Sequence, residues 1–315
     1  MPELKRKEVM IMKVGFIGAG KVGFSLGKYF KTHNVDVVGY YSRNPQSAEE
    51  AADFTGTKTF DTMKQLAEVS DVLFLTVPDG KIAEVWYQMK DYDLNGKIVT
   101  HCSGALTSNV LDGAGSKGAY AYSSHPLLAV SDKYESYKDI GDALFTIEGN
   151  TEKMDVMCGL FNFCGNRTQQ MRAENKVLYH TAASVASNFM VTLADVAGEM
   201  LRECGFSEED SRDAMAPLMM DNMRSILDKG PEKSLTGPIE RADSETVKGH
   251  LAAIAATVSS AESGADAGEA GGRFRGTACI SDTAELYRVL ARRTIKLAKR
   301  KHPDRDYTEM EEILR

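Results

Sequence analysis

Six consecutive residues constrain this chain more than any others: Gly18-Ala19-Gly20-Lys21-Val22-Gly23. They fit the pattern GxGxxG. They directly follow the apolar run Val14-Gly15-Phe16-Ile17 and open a helical pattern, Lys21–Thr32. A strand, a glycine turn and a helix in that order belong to a doubly wound α/β sheet. Gly18 permits the tight turn. Gly20 lets a phosphate group approach the backbone, and Gly23 lets helix and strand pack closely.

The rest of the first half continues the alternation. Strand-like runs occur at Val35–Tyr41, Val72–Val77, Lys97–His101, Gly118–Ser123 and Leu144–Glu148. Helical patterns such as Pro45–Phe54 and Lys81–Lys90 fill the gaps. Continuous apolar strands between helices predict a parallel sheet covered on both faces. A helix over Glu152–Phe163 and a short polar strand near Arg167–Met171 end this half. Beyond it the pattern is helical only: Ala173–Cys204 as one long helix, then Glu208–Lys229, Ser244–Thr257 and Ser281–Lys301. The expected organisation is an N-terminal extension over residues 1–11, a doubly wound parallel Rossmann domain of the α/β class over 12–171, and an all-helical domain over 172–315. Ser259–Gly276 has five glycines and little apolar content, so it reads as a flexible loop. Arg273 and Arg275 at its end offer an anion clamp, against the plainer reading of a solvated insertion.

A length of 315 residues suits two domains. The formal charge, 38 − 45 = −7, argues against nucleic acid or an anionic membrane surface as partner. No apolar run approaches the roughly 20 residues a bilayer span needs. Met1–Val9 carries both signs of charge and does not read as a secretory signal. The five cysteines are scattered, with no CxxC pair. Neither a disulfide framework nor a metal site is expected, and reduced thiols fit a cytoplasmic protein.

The end of the second strand reports on the cofactor type. Gly39-Tyr40-Tyr41-Ser42-Arg43-Asn44 has no carboxylate to bind a ribose 2′-hydroxyl. Ser42 and Arg43 instead suit a 2′-phosphate. NADP(H) is therefore the expected cofactor, with Gly18, Ala19, Gly20, Lys21, Val22 and Gly23 around its pyrophosphate. Val77 and Pro78 lie where a sheet's carboxyl edge would line the ribose–nicotinamide path.

Three segments can supply a substrate. His101-Cys102-Ser103-Gly104 and Ser123-Ser124-His125-Pro126-Leu127 each follow a strand, so Ser103 and His125 either face one crevice beside the cofactor or merely cap turns. On the long helix, Lys176, His180 and Ser184 fall within about 80° of one another. Ser187 returns close to the Lys176 direction, and Asn188 lies at the edge. A polar stripe among Val177, Leu178, Ala182, Val185 and Phe189 is expensive to bury without a purpose, against the plainer readings of a solvated helix face or a buried hydrogen-bond network. Ketone reduction needs a proton or positive charge at the oxygen, and a desolvated lysine supplies both. Lys176 fits that role, with His180 orienting substrate or relaying the proton. Arg241, in the turn Thr236–Asp243, is a candidate anion anchor or a partner of Asp243 or Glu245.

In combination these segments resemble a known family. GAGKVG, Tyr41-Ser42-Arg43, HCSG, SSHPL, Lys176 followed four residues on by His180, and TGPIERAD ahead of His250-Leu251 carry the resemblance over roughly residues 12–300. The family is the Rossmann-like NADP-dependent oxidoreductases with a helical C-terminal domain of unknown function. It includes alternative ketopantoate reductases of pantothenate synthesis. The wider superfamily holds β-hydroxyacid dehydrogenases, whose catalytic Lys-x3-Asn is matched here by Lys176 but has His180 in the second place. It also holds pyrroline-carboxylate reductases, and prephenate dehydrogenases with a functional His-Pro similar to His125-Pro126. The resemblance implies an NADPH-dependent reductase of a small 2-oxo acid, with ketopantoate converted to pantoate, working as a homodimer through the helical domain. Imine reduction, prephenate-like dehydrogenation and a non-catalytic NADP-binding regulator stand as alternatives.

Overall fold

Each strand-like run of the first half becomes a strand in the computed structural model, which describes residues 11–262 and 282–315. The strands are β1 (Lys13–Ile17), β2 (Asp36–Tyr41), β3 (Lys58–Thr59), β4 (Val72–Leu75), β5 (Ile98–His101), β6 (Tyr120–Pro126), β7 (Leu144–Gly149) and β8 (Arg167–Gln170). They form one eight-stranded sheet in the order β3-β2-β1-β4-β5-β6-β7-β8. The two-residue β3 is too short to leave a pattern in the sequence. Helices α1 (Lys21–Thr32), α2 (Pro45–Thr55), α3 (Met63–Val69), α4 (Asp79–Gln88) and α5 (Met154–Phe163) accompany it.

Alternation along the central strands sorts the two faces. Phe16 and Phe74 point to one side with Phe30, Phe145 and Phe161, while Ile17 and Leu75 point to the other with Leu66, Ile82 and Val99. The aromatic side is tightly stacked, with Phe145 and Phe161 centroids 4.0 Å apart and Phe16 and Phe74 at 5.3 Å.

The sheet is not parallel throughout, as the alternation had predicted. β6 and β7 pair antiparallel, and β7 then pairs parallel with β8. A parallel neighbour needs a long crossover, usually a helix. Between β6 and β7 the chain has only short 3-10 turns at Ser136–Lys138 and Ile140–Asp142, so the strand returns reversed.

The chain divides into two compact units, Met1–Met190 and Val191–Arg315. The division falls after the helix α6 (Lys176–Ala186) rather than at residue 171, because side chains of α6 are bonded to the sheet. The long helix expected over Ala173–Cys204 is broken. Ser187, at φ −119° and ψ −73°, is distorted from ideal helical geometry and separates α6 from α7 (Asn188–Glu203). Serine and asparagine at the break compete with the helix for backbone hydrogen bonds.

In the second unit α8 (Glu208–Ser234) is two helices merged across Gly230, whose φ of 82° no helix accommodates. Then come α9 (Pro238–Arg241), α10 (Ser244–Glu262), α11 (Thr283–Lys301) and α12 (Thr308–Ile313). Val247, Ala291, Ile295, Ala298, Tyr307, Met310 and Leu314 form the core of this unit. Among the described residues it contains no strand. α10 runs to Glu262, so residues 259–262 of the expected loop are helical. The remainder of that loop, with Arg273 and Arg275, lies outside the described residues, as do residues 1–10 of the expected extension. No helix among the described residues is long and apolar enough to cross a membrane.

Candidate active site

The glycine turn separates glycines that packing demands from one it does not. Gly18 has φ +104°, and a Cβ there would meet the Thr76 carbonyl at 2.8 Å. A Cβ on Gly23 would lie 2.3 Å from Thr76 Oγ1, which donates a 2.8 Å hydrogen bond to the Gly18 carbonyl. Both positions therefore serve the close fit of α1 against β1 and β4. Gly20 differs: a Cβ there meets only Thr76 O, at 3.8 Å, so the space above the turn is open.

The N-terminus of α1 is correspondingly bare. Gly20 gives it no side-chain cap, and its first turn has no acidic residue. α2 is capped by Asn44 and α3 by a reciprocal Thr62–Gln65 box. Uncapped N–H groups at the positive end of a helix dipole, under open space, suit an anionic diphosphate. Ala19 and Val22 flank this turn half-buried, and Lys21 is exposed beside it. At the end of β2, Ser42 Oγ accepts the Asn44 amide at 3.3 Å. The Arg43 side chain is 71% exposed, and its ion pair to Glu84 is long at 4.0 Å. A solvated pair of that length holds the guanidinium weakly. Val77 is half-buried and Pro78 exposed where the chain leaves β4 for α4.

Sheet register assembles the chemical groups. Ile17, Leu75, His101, Ser123 and Glu148 are consecutive partners across β1, β4, β5, β6 and β7. They form one row at the carboxyl edge of the parallel strands. His125 and Pro126 belong to β6 itself and not to a loop after it, a correction that follows from their pairing with Thr146 and Phe145 of β7. Onto this row α6 places Lys176, which is fully buried. Its Nζ donates to Ser123 Oγ at 2.7 Å, and that hydroxyl donates to the Ser103 carbonyl at 3.2 Å. Burial pushes the Lys176 ammonium down to about 8, partly opposed by Glu148, Cys102 and Asp79. Glu148 is 4% exposed, and its carboxylate accepts both the amide of Ser108 at 2.6 Å and its hydroxyl at 2.7 Å.

Three histidines surround the lysine. His101 Nδ1 accepts the Ser103 amide at 3.2 Å, which leaves the ring proton on Nε2 to be donated to the Thr107 carbonyl at 3.1 Å. His125 Nδ1 lies 2.8 Å from the Tyr179 hydroxyl. Burial pushes both His101 and His125 down to about 4, and the nearby Lys176 acts in the same direction. They are neutral around pH 7. His180 stands edge-on to His125, with ring centroids 6.1 Å apart, and its Nδ1 is buried without a hydrogen-bond partner. Gly104 sits between the two rings: a Cβ there would lie 2.5 Å from His180 Nδ1 and 2.9 Å from His125 Nε2.

Of the two parts its position allowed, the Ser103 hydroxyl takes that of a turn cap. Its hydroxyl donates to Asp79 at 2.6 Å and accepts the amides of Ala105 and Leu106 at 3.2 and 2.9 Å. One donor and two lone pairs are thereby engaged, so Ser103 shapes the loop. Ser184 is half-buried on α6, while Ser187 and Asn188 are exposed beyond it. Arg241 belongs to the second unit, where it adds to the Thr246 hydrogen bonds that hold the Asp243 carboxyl below its usual range. Sequence reasoning missed Glu148, Ser108 and Tyr179. The available signals were a carboxylate ending an apolar strand, and a tyrosine three residues after Lys176 on the same helical face. Among the described residues, no group of three or more His, Cys, Asp or Glu side chains is placed to hold a metal ion.

Residues 4–126 match the Rossmann-like domain family, and residues 143–294 match DUF2520, a domain of unknown function. The chain thus carries a Rossmann-like domain followed by a DUF2520 domain. No curated protein matches it. Its fold is that of several solved structures. A candidate NADP oxidoreductase from Bacteroides fragilis is 20% identical with a TM-score of 0.67, over 91% of this chain and 99% of that one. A reductive aminase from Aspergillus terreus, solved with NADPH and ethyl-5-oxohexanoate, is 15% identical with a TM-score of 0.61, over 96% and 99%. A pyrroline carboxylate reductase from Plasmodium falciparum with NADP bound is 14% identical with a TM-score of 0.54, over 93% and 97%. The chain shares with these an architecture that spans nearly the whole of each chain.

Proposed function

We propose that this protein is an NADP(H)-dependent oxidoreductase that reduces the ketone of a small 2-oxo acid, with ketopantoate the first substrate to test. The observation that carries the reading is Lys176: a fully buried ammonium, hydrogen-bonded to Ser123, in a row of polar groups at the carboxyl edge of the sheet. The bare N-terminus of α1 and the open space over Gly20 fit the diphosphate of the cofactor. Ser42 and the exposed Arg43 fit its 2′-phosphate. NADP-linked folds among the solved relatives support the same assignment.

NADPH, when bound, supplies hydride to the carbonyl carbon. The chain's own residues supply the other half of the reduction. Lys176 stabilises negative charge developing on the carbonyl oxygen and gives it a proton, so that C=O becomes CH–OH. A lysine brought to about 8 still carries its proton near pH 7 and releases it more readily than an ordinary one. His125 and His180, flanking Gly104, present imidazole nitrogens that orient the substrate. His125, held neutral by burial, does this without adding charge beside Lys176.

Reduction of a C=N bond is the second reading, supported by the names of the reductive aminase and the pyrroline carboxylate reductase that share the fold. A protonated imine depends less on Lys176. The test is NADPH consumption by the purified protein with ketopantoate, a panel of 2-oxo acids, pyrroline-5-carboxylate and a no-substrate control. Turnover of a 2-oxo acid that Lys176→Ala abolishes supports the ketone reading. Turnover of pyrroline-5-carboxylate that survives the substitution moves the reading to imines. NADPH binding without any turnover leaves a regulator. Exposed apolar side chains on α8, including Leu218 and Leu227, support a second copy of the chain as partner. The unpaired thiols Cys102, Cys158, Cys164 and Cys204 support a reducing, cytoplasmic setting.

A further inference from the structure

The buried carboxylate of Glu148 is unexplained by cofactor or substrate binding. A lone carboxylate 4% exposed is expensive unless something compensates its charge. Ser108 satisfies both oxygens through its amide and hydroxyl, but these are neutral donors. The compensating positive charge must come from elsewhere.

The groups that face Lys176 identify it. They are Glu148 from β7, Asp79 from the start of α4, Cys102 and His101 from β5 and its following loop, His125 from β6, and Tyr179 from α6 itself. His101 and His125 are neutral near pH 7. Burial pushes the Cys102 thiol up to about 12, so it too is neutral there. Asp79 is exposed, and water screens its charge. Glu148 is the buried anion of the set. It stands directly across the strand pair from Ser123, the residue that takes the Lys176 hydrogen bond. A buried setting screens that attraction less than water does.

We infer that Glu148, held by Ser108, is a positioning residue that keeps Lys176 charged on the Ser123 hydroxyl and so sets the pH range over which the lysine acts as an acid. The assignment rests on Lys176 being the acid of the proposed reduction. Its central test does not, because it reads the lysine's titration directly.

Glu148→Gln keeps the size of the side chain and an oxygen for the Ser108 amide while removing the charge. The Lys176 side chain is titrated by NMR in protein labelled at lysine Cε, its resonance assigned by loss in Lys176→Met. An opposite charge at short range typically moves a titration by about 1–3 pH units. Glu148→Gln therefore titrates Lys176 at least roughly one pH unit lower than wild type. Ser108→Ala, which leaves the charge in place, moves it much less. An unchanged Lys176 titration in folded Glu148→Gln overturns the inference. Should Glu148→Gln not fold, Glu148→Met removes the charge at similar size, and Lys176 must titrate lower in it as well. An unchanged Lys176 titration in folded Glu148→Met is equally fatal. Where turnover is available, the alkaline limb of kcat shifts down in Glu148→Gln by as much as the NMR titration does, which a purely structural defect would not produce.

Discussion

Replacing Lys176 by methionine should abolish the reductase activity and at the same time stabilise the protein at pH 7. The ammonium is fully buried, and burial lowers it from 10.5 to about 8. At about 1.4 kcal/mol per pH unit, folding with the charge in place costs about 3 kcal/mol relative to folding with it absent. Methionine is of similar length and has no charge to bury. The hydrogen bond to Ser123 is lost, at a cost of about 1 kcal/mol. The net expectation is a gain of about 2 kcal/mol at pH 7, from the difference of those two effects. The sign reverses with pH. The folded value lies below the unfolded one, so between about 8 and 10.5 the unfolded chain holds more protons. Wild-type stability therefore rises across that interval, and the gain from methionine disappears above it. Urea unfolding of both proteins at several pH values from neutrality to beyond 10.5 measures the difference directly. NADPH consumption with the best 2-oxo acid measures the activity, expected to fall by orders of magnitude, while NADPH binding is retained. A variant less stable than wild type at pH 7, or a stability difference flat in pH, would refute the argument that Lys176 is held charged against its own desolvation. Such an opposition of stability and activity is what a group retained for chemistry should show.

Gly104→Ala drives a Cβ into His180 Nδ1 and His125 Nε2, and both rings must move. Displacement of orienting groups by about an ångström costs on the order of 100-fold in kcat. The NADPH dissociation constant, measured by cofactor fluorescence, should stay within about twofold, since the turn at Gly18–Gly23 is untouched. Arg43→Ala should weaken NADPH binding by about tenfold and leave NADH binding unchanged, because the guanidinium has only the 2′-phosphate to distinguish the two. Equal losses for both cofactors, by titration calorimetry, would remove Arg43 from that role. Light scattering should give twice the chain mass of 34.5 kDa, and Leu227→Glu, at a side chain 80% exposed, should shift the protein to monomer. A wild-type monomer at working concentration would leave the exposed apolar residues of α8 without this explanation.

Much of the site was legible in the residues because its parts are local. GAGKVG determines a turn through the conformational needs of Gly18 and the contact of Gly23 with Thr76, both set within one strand–turn–helix unit. The polar stripe from Lys176 to Ser184 follows from helical period alone. The strands and the helical second half were equally visible, since apolar periodicity needs no knowledge of the neighbour. Ser103 shows the limit. Its place after β5 was evident, but whether its hydroxyl met a ligand or its own loop depended on Asp79, 24 residues earlier in the chain.

What only the tertiary structure decided are relations between distant segments. The reversal of β7 places Glu148 across from Ser123, and α6 brings Lys176 to the same point. Nothing in Leu144–Gly149 states which way that strand will run, because direction depends on the connection before it and on the edge left open by β6. The lysine's lowered proton affinity is likewise no property of a lysine or of its helix. It arises from desolvation by the sheet edge, opposed by Glu148, Cys102 and Asp79, groups that meet only after folding. By itself the sequence determined which groups are available for chemistry. Packing decided which of them touch, which are dry, and therefore which can hold or release a proton near neutral pH.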